Sequence, residues 1–150
     1  MRHAHAGDPG RWDGDDSRRP LSDRGRRQAQ ALVERLRREG AGKVTAVLSS
    51  PALRCADTVT PTATELGLGV VTESALAEGT PPATVHALIG RLGGDVVLCS
   101  HGDVIGAFVL DLDAAGVLRD PPACSKASTW ILDVVAGTVV SARYLGPPEL

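Results

Sequence analysis

Asp95-Val96-Val97-Leu98-Cys99-Ser100-His101-Gly102 carries more structural information than any other stretch of this chain. Asp95 to Cys99 is a short apolar run of the kind that forms a strand buried on both faces in a parallel sheet. Ser100, His101 and Gly102 then make a tight turn, and Val104 to Leu112 carries a helical pattern. The same sequence of forms occurs upstream. Val44 to Leu48 is a β-branched run that leads into Ser49-Ser50-Pro51, and a helix follows through Leu53, Ala56 and Val59. Pro61 is expected to kink or interrupt that helix.

The flanking segments fit around these two units. Residues 7 to 21 hold Gly, Asp, Pro and Ser in abundance and read as a loop. Ser22 has the character of an N-cap, with Leu21 before it as a hydrophobic staple. Ala29, Leu32, Val33 and Leu36 recur at helical spacing, and Gly40 supplies the stop. Gly69 to Thr72 is a brief strand and Pro82 to Leu92 a helix. Thr129 to Val134 and Val139 to Tyr144, joined around Ala136-Gly137, form a hairpin. The expected fold over residues 1–150 is one α/β domain: three layers, α/β/α, a mostly parallel central sheet and a C-terminal hairpin.

Composition narrows the function. The 150 residues are 43% hydrophobic, enough for a core that needs neither disulfides nor a structural metal. Sixteen Lys and Arg against eighteen Asp and Glu leave a net charge of −2, which excludes binding of a nucleic-acid polymer through bulk charge. Aromatic residues, at 3%, are too few for a base-stacking platform. Cys55, Cys99 and Cys124 are odd in number, widely spaced and free of any Cys-x-x-Cys pair. They argue against a disulfide framework and a cysteine-built zinc site, and for a reducing compartment. None has an Arg six positions on, as the loop of cysteine phosphatases requires. No apolar signal region opens the chain, and its longest apolar stretch, Val96 to Leu118, is broken by His101, Asp103, Asp111 and Asp113. A cytoplasmic location and no membrane partner are expected.

Three short pieces place polar groups just after a strand or at the start of a helix: Arg2-His3-Ala4, Ser49-Ser50-Pro51-Ala52-Leu53-Arg54 and Ser100-His101-Gly102. In an open α/β sheet the ligand crevice lies outside the carboxyl ends of the strands, where the three can converge. Two Arg, two His and a helix N-terminus make an anion site with nitrogen nucleophiles beside it, and a phosphoryl group suits it. Ten of the sixteen basic residues fall between Arg11 and Lys43, and Arg18 and Arg19 of that run can reach the crevice from the loop.

These residues, in this order, resemble the histidine phosphatase superfamily (phosphoglycerate mutase-like), in its SixA-type phosphohistidine phosphatase branch. The resemblance rests on Arg2-His3-Ala4-x-Ala6-Gly7, on Ser17-Arg18-Arg19-Pro20-Leu21-Ser22-x-x-Gly25, on Ser49-Ser50-Pro51-x-x-Arg54-Cys55-x-x-Thr58 and on Cys99-Ser100-His101-Gly102-Asp103. Ser125 to Trp130 is similar to the phosphatase half of actinobacterial Nudix–phosphatase fusion proteins. The resemblance implies a metal-independent phosphohydrolase with no cofactor, in which His3 becomes a phosphohistidine that water then hydrolyses. Arg2, Arg54 and a protonated His101 would hold the phosphoryl oxygens, and Glu78 would serve as proton donor and then as base. Arg18, Arg19 and Gly102 would border the substrate, which is either protein phosphohistidine or a small phosphomonoester such as a nucleotide. Mutase chemistry is less expected, because it calls for lid segments that 150 residues scarcely allow.

Two other readings remain at this stage. One is a non-catalytic phosphate-binding module of the same fold. The other is a metallohydrolase with His3, His5 and His101 as ligands. In one respect the chain departs from the family pattern. Members reach their Arg-His through a buried apolar strand of about five residues, whereas Met1 alone precedes Arg2 here. The first strand is therefore expected to be truncated, leaving the sheet short of its central member.

Overall fold

The computed structural model describes residues 1–150. Its elements in chain order are α1 (Asp23–Arg38), β1 (Val44–Ser49), α2 (Leu53–Glu65), β2 (Val70–Thr72), α3 (Pro82–Arg91), β3 (Asp95–Cys99), α4 (Gly102–Ala114), β4 (Thr129–Val135) and β5 (Thr138–Leu145). Strands β2, β1 and β3 lie side by side in that order and all run parallel. In register, Val47 sits between Val70 and Val97, and Ser49 between Thr72 and Cys99.

Alternation along the strands explains the layers. Val47, Val97 and Cys99 pack against Ala52, Cys55, Val59 and Ala63 at and along α2. One residue on, Leu48 and Leu98 meet Leu76 and Leu88 on the opposite face. Successive side chains of a strand point to opposite faces, so an apolar run needs a helix on each side. Helix α1 packs beside α2, and α3 beside α4. Val104, Phe108, Val109 and Leu112 of α4 join Trp130, Val139 and Ala142 of the antiparallel β4–β5 hairpin in the largest core cluster. Both turn residues of that hairpin, Ala136 and Gly137, have positive φ (50° and 77°), the mirror-image turn that matches strand twist.

Local signals account for most boundaries. Ser22 Oγ accepts from Gly25 N at 3.1 Å and starts α1 as an N-cap. Pro61 does not interrupt α2, which runs on to Glu65. A proline inside a helix costs about 3 kcal/mol, but Val59, Thr62 and Ala63 around it are buried. Their burial outweighs the lost hydrogen bond. The loop from residue 7 to 20 is given shape by two short 3-10 turns, Pro9–Arg11 and Asp16–Arg18, capped by the carboxylates of Asp8 and Asp15.

Residues 1–3 are the only chain between β3 and β4. The Met1 amine donates to Leu98 O (2.7 Å), Ser100 N to Met1 O (3.0 Å) and His3 N to Ser100 O (3.0 Å). On the other side Arg2 N donates to Ser128 O (3.0 Å) and Ala127 N to His3 O (3.2 Å). The segment thus pairs on both edges, but only at the carboxyl end of β3. Below it the sheet does not close. An apolar cavity of about 430 Å³ lies between the two strands, with Met1, Val96, Leu98, Thr129, Leu132 and Val134 among its lining. Burial of the Met1 ammonium at the head of this cavity pulls its pKa down.

Candidate active site

The carboxyl ends of the strands meet at a second, smaller depression of about 320 Å³, lined by Arg2, His3, Gly7, Pro9, Arg19, Arg54, Glu78, His101, Gly102, Asp103 and Lys126. No hydrophobic residue lines it, the reverse of the larger cavity. Titratable and cationic groups converge here, with the buried Arg54 and His101 among them, so this is the candidate site.

His3 is held firmly in place. Its backbone is pinned between Ser100 and Ala127, and the next residue donates from Ala4 N to Thr58 Oγ1 at 2.9 Å. Thr58 Oγ1 in turn donates to Arg54 O at 2.7 Å. His3 Nδ1 lies 2.8 Å from Ala4 O. A carbonyl oxygen only accepts, so Nδ1 carries the proton and Nε2 keeps its lone pair free. Burial first, then the charges of Arg54, His101 and Arg2, lower the His3 pKa from 6.5 to about 3. The ring is neutral at physiological pH.

Arg54 begins the second turn of contacts. Its position near the start of α2 follows the Ser-Ser-Pro turn, and its side chain is 98% buried. The guanidinium donates to Asp16 O (2.8 Å), pairs with Asp16 Oδ2 (3.2 Å) and Glu78 Oε2 (3.3 Å), and stands 3.4 Å from His101 Nδ1. His101 Nε2 is 2.7 Å from Ser50 Oγ, and its ring meets that of His3 edge-on at 5.5 Å between centroids. Arg2 donates to Cys124 O at 2.6 Å, and its buried Nε has no partner. A Cβ on Gly102 would stand 2.8 Å from Arg2 Cζ, so glycine there is what lets the guanidinium cross the start of α4.

The structure brings Arg2, His3, Arg54, Glu78, His101, Arg19 and Gly102 to one depression. Arg18 is not brought there. It ends a 3-10 turn with its side chain exposed, while its neighbour Arg19 turns inward and donates to Ala6 O (2.6 Å) and Asp16 Oδ1 (2.8 Å). The three-histidine metal set is not assembled either. His5 turns away to Ser22 Oγ at 2.7 Å, and no three His, Cys, Asp or Glu side chains gather as a ligand group. All three cysteines are free, and hydrogen bonding to Cys99 with burial pushes the Cys55 thiol far up, so it stays protonated beside His101.

Sequence reasoning missed four contributors. Asp16 neutralises Arg54 and Arg19, and those contacts hold its carboxyl below the usual range. Ser50 orients His101 and Thr58 orients the Arg2–His3 segment. Both stand inside the quoted motifs, which was the available signal. Gly25 also does: a Cβ there would sit 1.9 Å from His5 O, because the first turn of α1 lies directly on the nucleophile segment.

A neutral imidazole aimed at a pocket of buried arginines, at the carboxyl edge of a parallel sheet, defines a protein built for phosphoryl chemistry. The comparisons with known proteins narrow that class. Residues 1–80 match the histidine phosphatase superfamily (branch 1), and the chain belongs to it. The chain is 37% identical over 156 aligned residues to the 8-oxo-(d)GTP phosphatase of Mycolicibacterium smegmatis, spanning 99% of itself and 48% of that protein, about half the relative's length. Among solved structures it resembles the protein histidine phosphatase SixA complexed with tungstate (TM-score 0.76, 20% identity, 99% and 94% of the two chains). A mycobacterial glucosyl-3-phosphoglycerate phosphatase is also similar (TM-score 0.62, 21% identity, 96% and 93%). At those identities the likeness is one of fold. No helix is long and apolar enough to cross a membrane.

Proposed function

We propose that residues 1–150 act as one phosphohydrolase domain that passes a phosphoryl group through His3 to water without a metal, on a small phosphorylated substrate of the nucleotide class. The observation that carries the chemistry is the His3 ring: Nδ1 donates to Ala4 O, Nε2 is free, and the ring stays neutral among Arg2, Arg54 and His101. Attack by Nε2 forms a P–N bond while the bond from phosphorus to the leaving oxygen breaks. Arg2 and Arg54 offset the charge on the equatorial oxygens. His101, beside Arg54, is the third donor to those oxygens. Glu78 supplies the proton to the leaving oxygen. In the second step it takes one from water, the P–N bond breaks, and His3 returns neutral with inorganic phosphate released.

The small-molecule substrate is supported by the long match to an 8-oxo-(d)GTP phosphatase, whose identity exceeds that to SixA. The loop carrying Gly7, Pro9 and Arg19 also walls one side of the depression. Three free thiols suit a reducing compartment such as the cytoplasm.

Hydrolysis of para-nitrophenyl phosphate in EDTA, by the wild type and His3→Ala, tests this. Turnover that survives EDTA, vanishes in His3→Ala and leaves an acid-labile phosphoenzyme on quenching is expected. Phosphate binding with no turnover of any phosphate ester would leave a binding module instead. A substrate panel of nucleotides and a phosphohistidine protein then separates the substrate classes.

A further inference from the structure

The depression also holds a cation that the chemistry above does not use. Lys126 lines the rim. It belongs to a turn closed by Ser128 N donating to Ser125 O at 3.0 Å. That turn is fastened to the nucleophile itself: Ala127 N donates to His3 O, and Arg2 N to Ser128 O. Ala127 is one of two non-glycine residues with positive φ (62°), the other being in the hairpin turn. Such a conformation is unfavourable for an L-residue such as alanine. It is held here because the Ala127 side chain is fully buried among Ala4, Ala6, Leu21 and Ala29. The strain fixes Lys126 at one place on the rim.

The charges that act most on Lys126 are of its own sign, although Glu78 and Asp103 line the same depression. The lysine takes part in none of the ion pairs or side-chain hydrogen bonds of the molecule. Besides burial, the charges of Arg2, Arg19 and Arg24 lower its pKa. Arg24 is exposed and likewise unpaired with any acid. Arg19 has Asp16, and Arg54 has Asp16 and Glu78. Arg19 and Arg54 are thus neutralised, and Lys126 is left without an ion-pair partner. A cation held by a strained turn, short of a counter-charge and crowded by like charges, is stabilised by an anion on the ligand.

We propose that Lys126 binds a second phosphate of the substrate, the one bonded directly to the phosphoryl group that His3 receives, so that the preferred substrates are phosphoanhydrides such as nucleoside diphosphates. Adjacency follows from the backbone: the Lys126 turn and His3 share hydrogen bonds, so the two subsites are neighbours, as the two phosphates of an anhydride are. Lys126 also neutralises the oxygen that departs with the second phosphate, a leaving group in need of a cation more than a proton. The inference rests on the hydrolase reading and adds its substrate class.

The test compares kcat/KM for GDP, for para-nitrophenyl phosphate and for 3-phosphoglycerate, whose second anion is a carboxylate, in the wild type, Lys126→Ala and Lys126→Arg. A charge-assisted contact of this kind is worth about 10–100-fold. GDP is expected to be the preferred substrate. Lys126→Ala is expected to lower its kcat/KM, chiefly through KM, by at least about ten-fold more than that of para-nitrophenyl phosphate, and Lys126→Arg to restore much of the loss. An equal loss on all three substrates, no loss on GDP, or a loss confined to 3-phosphoglycerate overturns the proposal. Failure of the underlying hydrolase reading looks different: the wild type turns over none of the three and His3 takes no phosphate, and the Lys126 assignment falls with it.

Discussion

The two flanks of residues 1–3 are built on opposite principles. At the carboxyl end of β3 the segment meets Ser100, Ser128, Thr58 and Arg54, and its backbone groups pair on both sides. Toward the amino end of β3 it meets an apolar cavity larger than the catalytic depression itself. The polar flank places His3 and the apolar flank contributes packing, so placement of the nucleophile and stability of the sheet are separable. A few hydrogen bonds in fixed geometry orient a short segment, whereas stability scales with the apolar area removed from water.

That separation can be broken at several points. Arg54→Ala strikes the polar flank hardest. It removes the buried cation that faces His101, Asp16 and Glu78, and kcat/KM should fall about 10³-fold. Para-nitrophenyl phosphate kinetics would measure this, and a loss below ten-fold would remove Arg54 from the phosphoryl site. Gly25→Ala drives a Cβ into His5 O at 1.9 Å. Overpacking against backbone should destabilise by about 3 kcal/mol or more, lowering Tm by roughly 6–12 °C.

Extending the chain ahead of Met1 by four or five apolar, β-branched residues probes the other flank. A strand laid into the cavity would bury two or three side chains at about 1.5–3 kcal/mol each, less the entropy of ordering it. Thermal melting should show a gain of roughly 5–10 °C with kcat changed far less. An unchanged Tm would mean that the cavity is no seat for a strand. Gly102→Ala is a milder test of the polar flank. The new Cβ pushes on the Arg2 guanidinium, so kcat/KM should drop about ten-fold while Tm moves little.

The smallest effect is the response to pH. The His3 pKa of about 3 predicts no loss of the nucleophile between about pH 5 and 8. Between about 3 and 6.5 the unfolded chain holds a proton on His3 that the folded chain does not, so stability falls as the pH falls through that window. Denaturant midpoints of the wild type and His3→Asn across that range measure the contribution, and the variant should show the shallower slope.

The parts of this molecule that were legible in advance are those set by near neighbours in the chain. Ser22 caps α1 through Gly25 three residues on, and β3 covers Asp95 to Cys99 as its apolar run indicates. Ala136-Gly137 turns the hairpin. Arg54 and His101 meet because each follows a strand in a parallel sheet, and such strands put their carboxyl ends on one edge, while Arg2 and His3 join them through the backbone bonds of residues 1–3 to Ser100. Less legible were contacts that depend on how distant segments settle. Arg18 and Arg19 are adjacent and chemically identical, and a 3-10 turn sends one to solvent and the other to Ala6 O. Pro61 looks like a helix breaker until the burial of Thr62 and Ala63 is counted.

Order and spacing of the polar motifs along 150 residues pointed to phosphoryl chemistry and to His3, because the residue types around strand ends are written locally. Protonation and charge balance came from the fold. His3 is neutral because packing strips it of water. Arg54 is counterbalanced because the carboxylate of Asp16, thirty-eight positions away, comes within 3.2 Å. Lys126 stands uncompensated beside them because a turn near the far end of the chain is fastened to its third residue. Charge interactions depend on distance through space and on exclusion of water, and only the folded chain sets either.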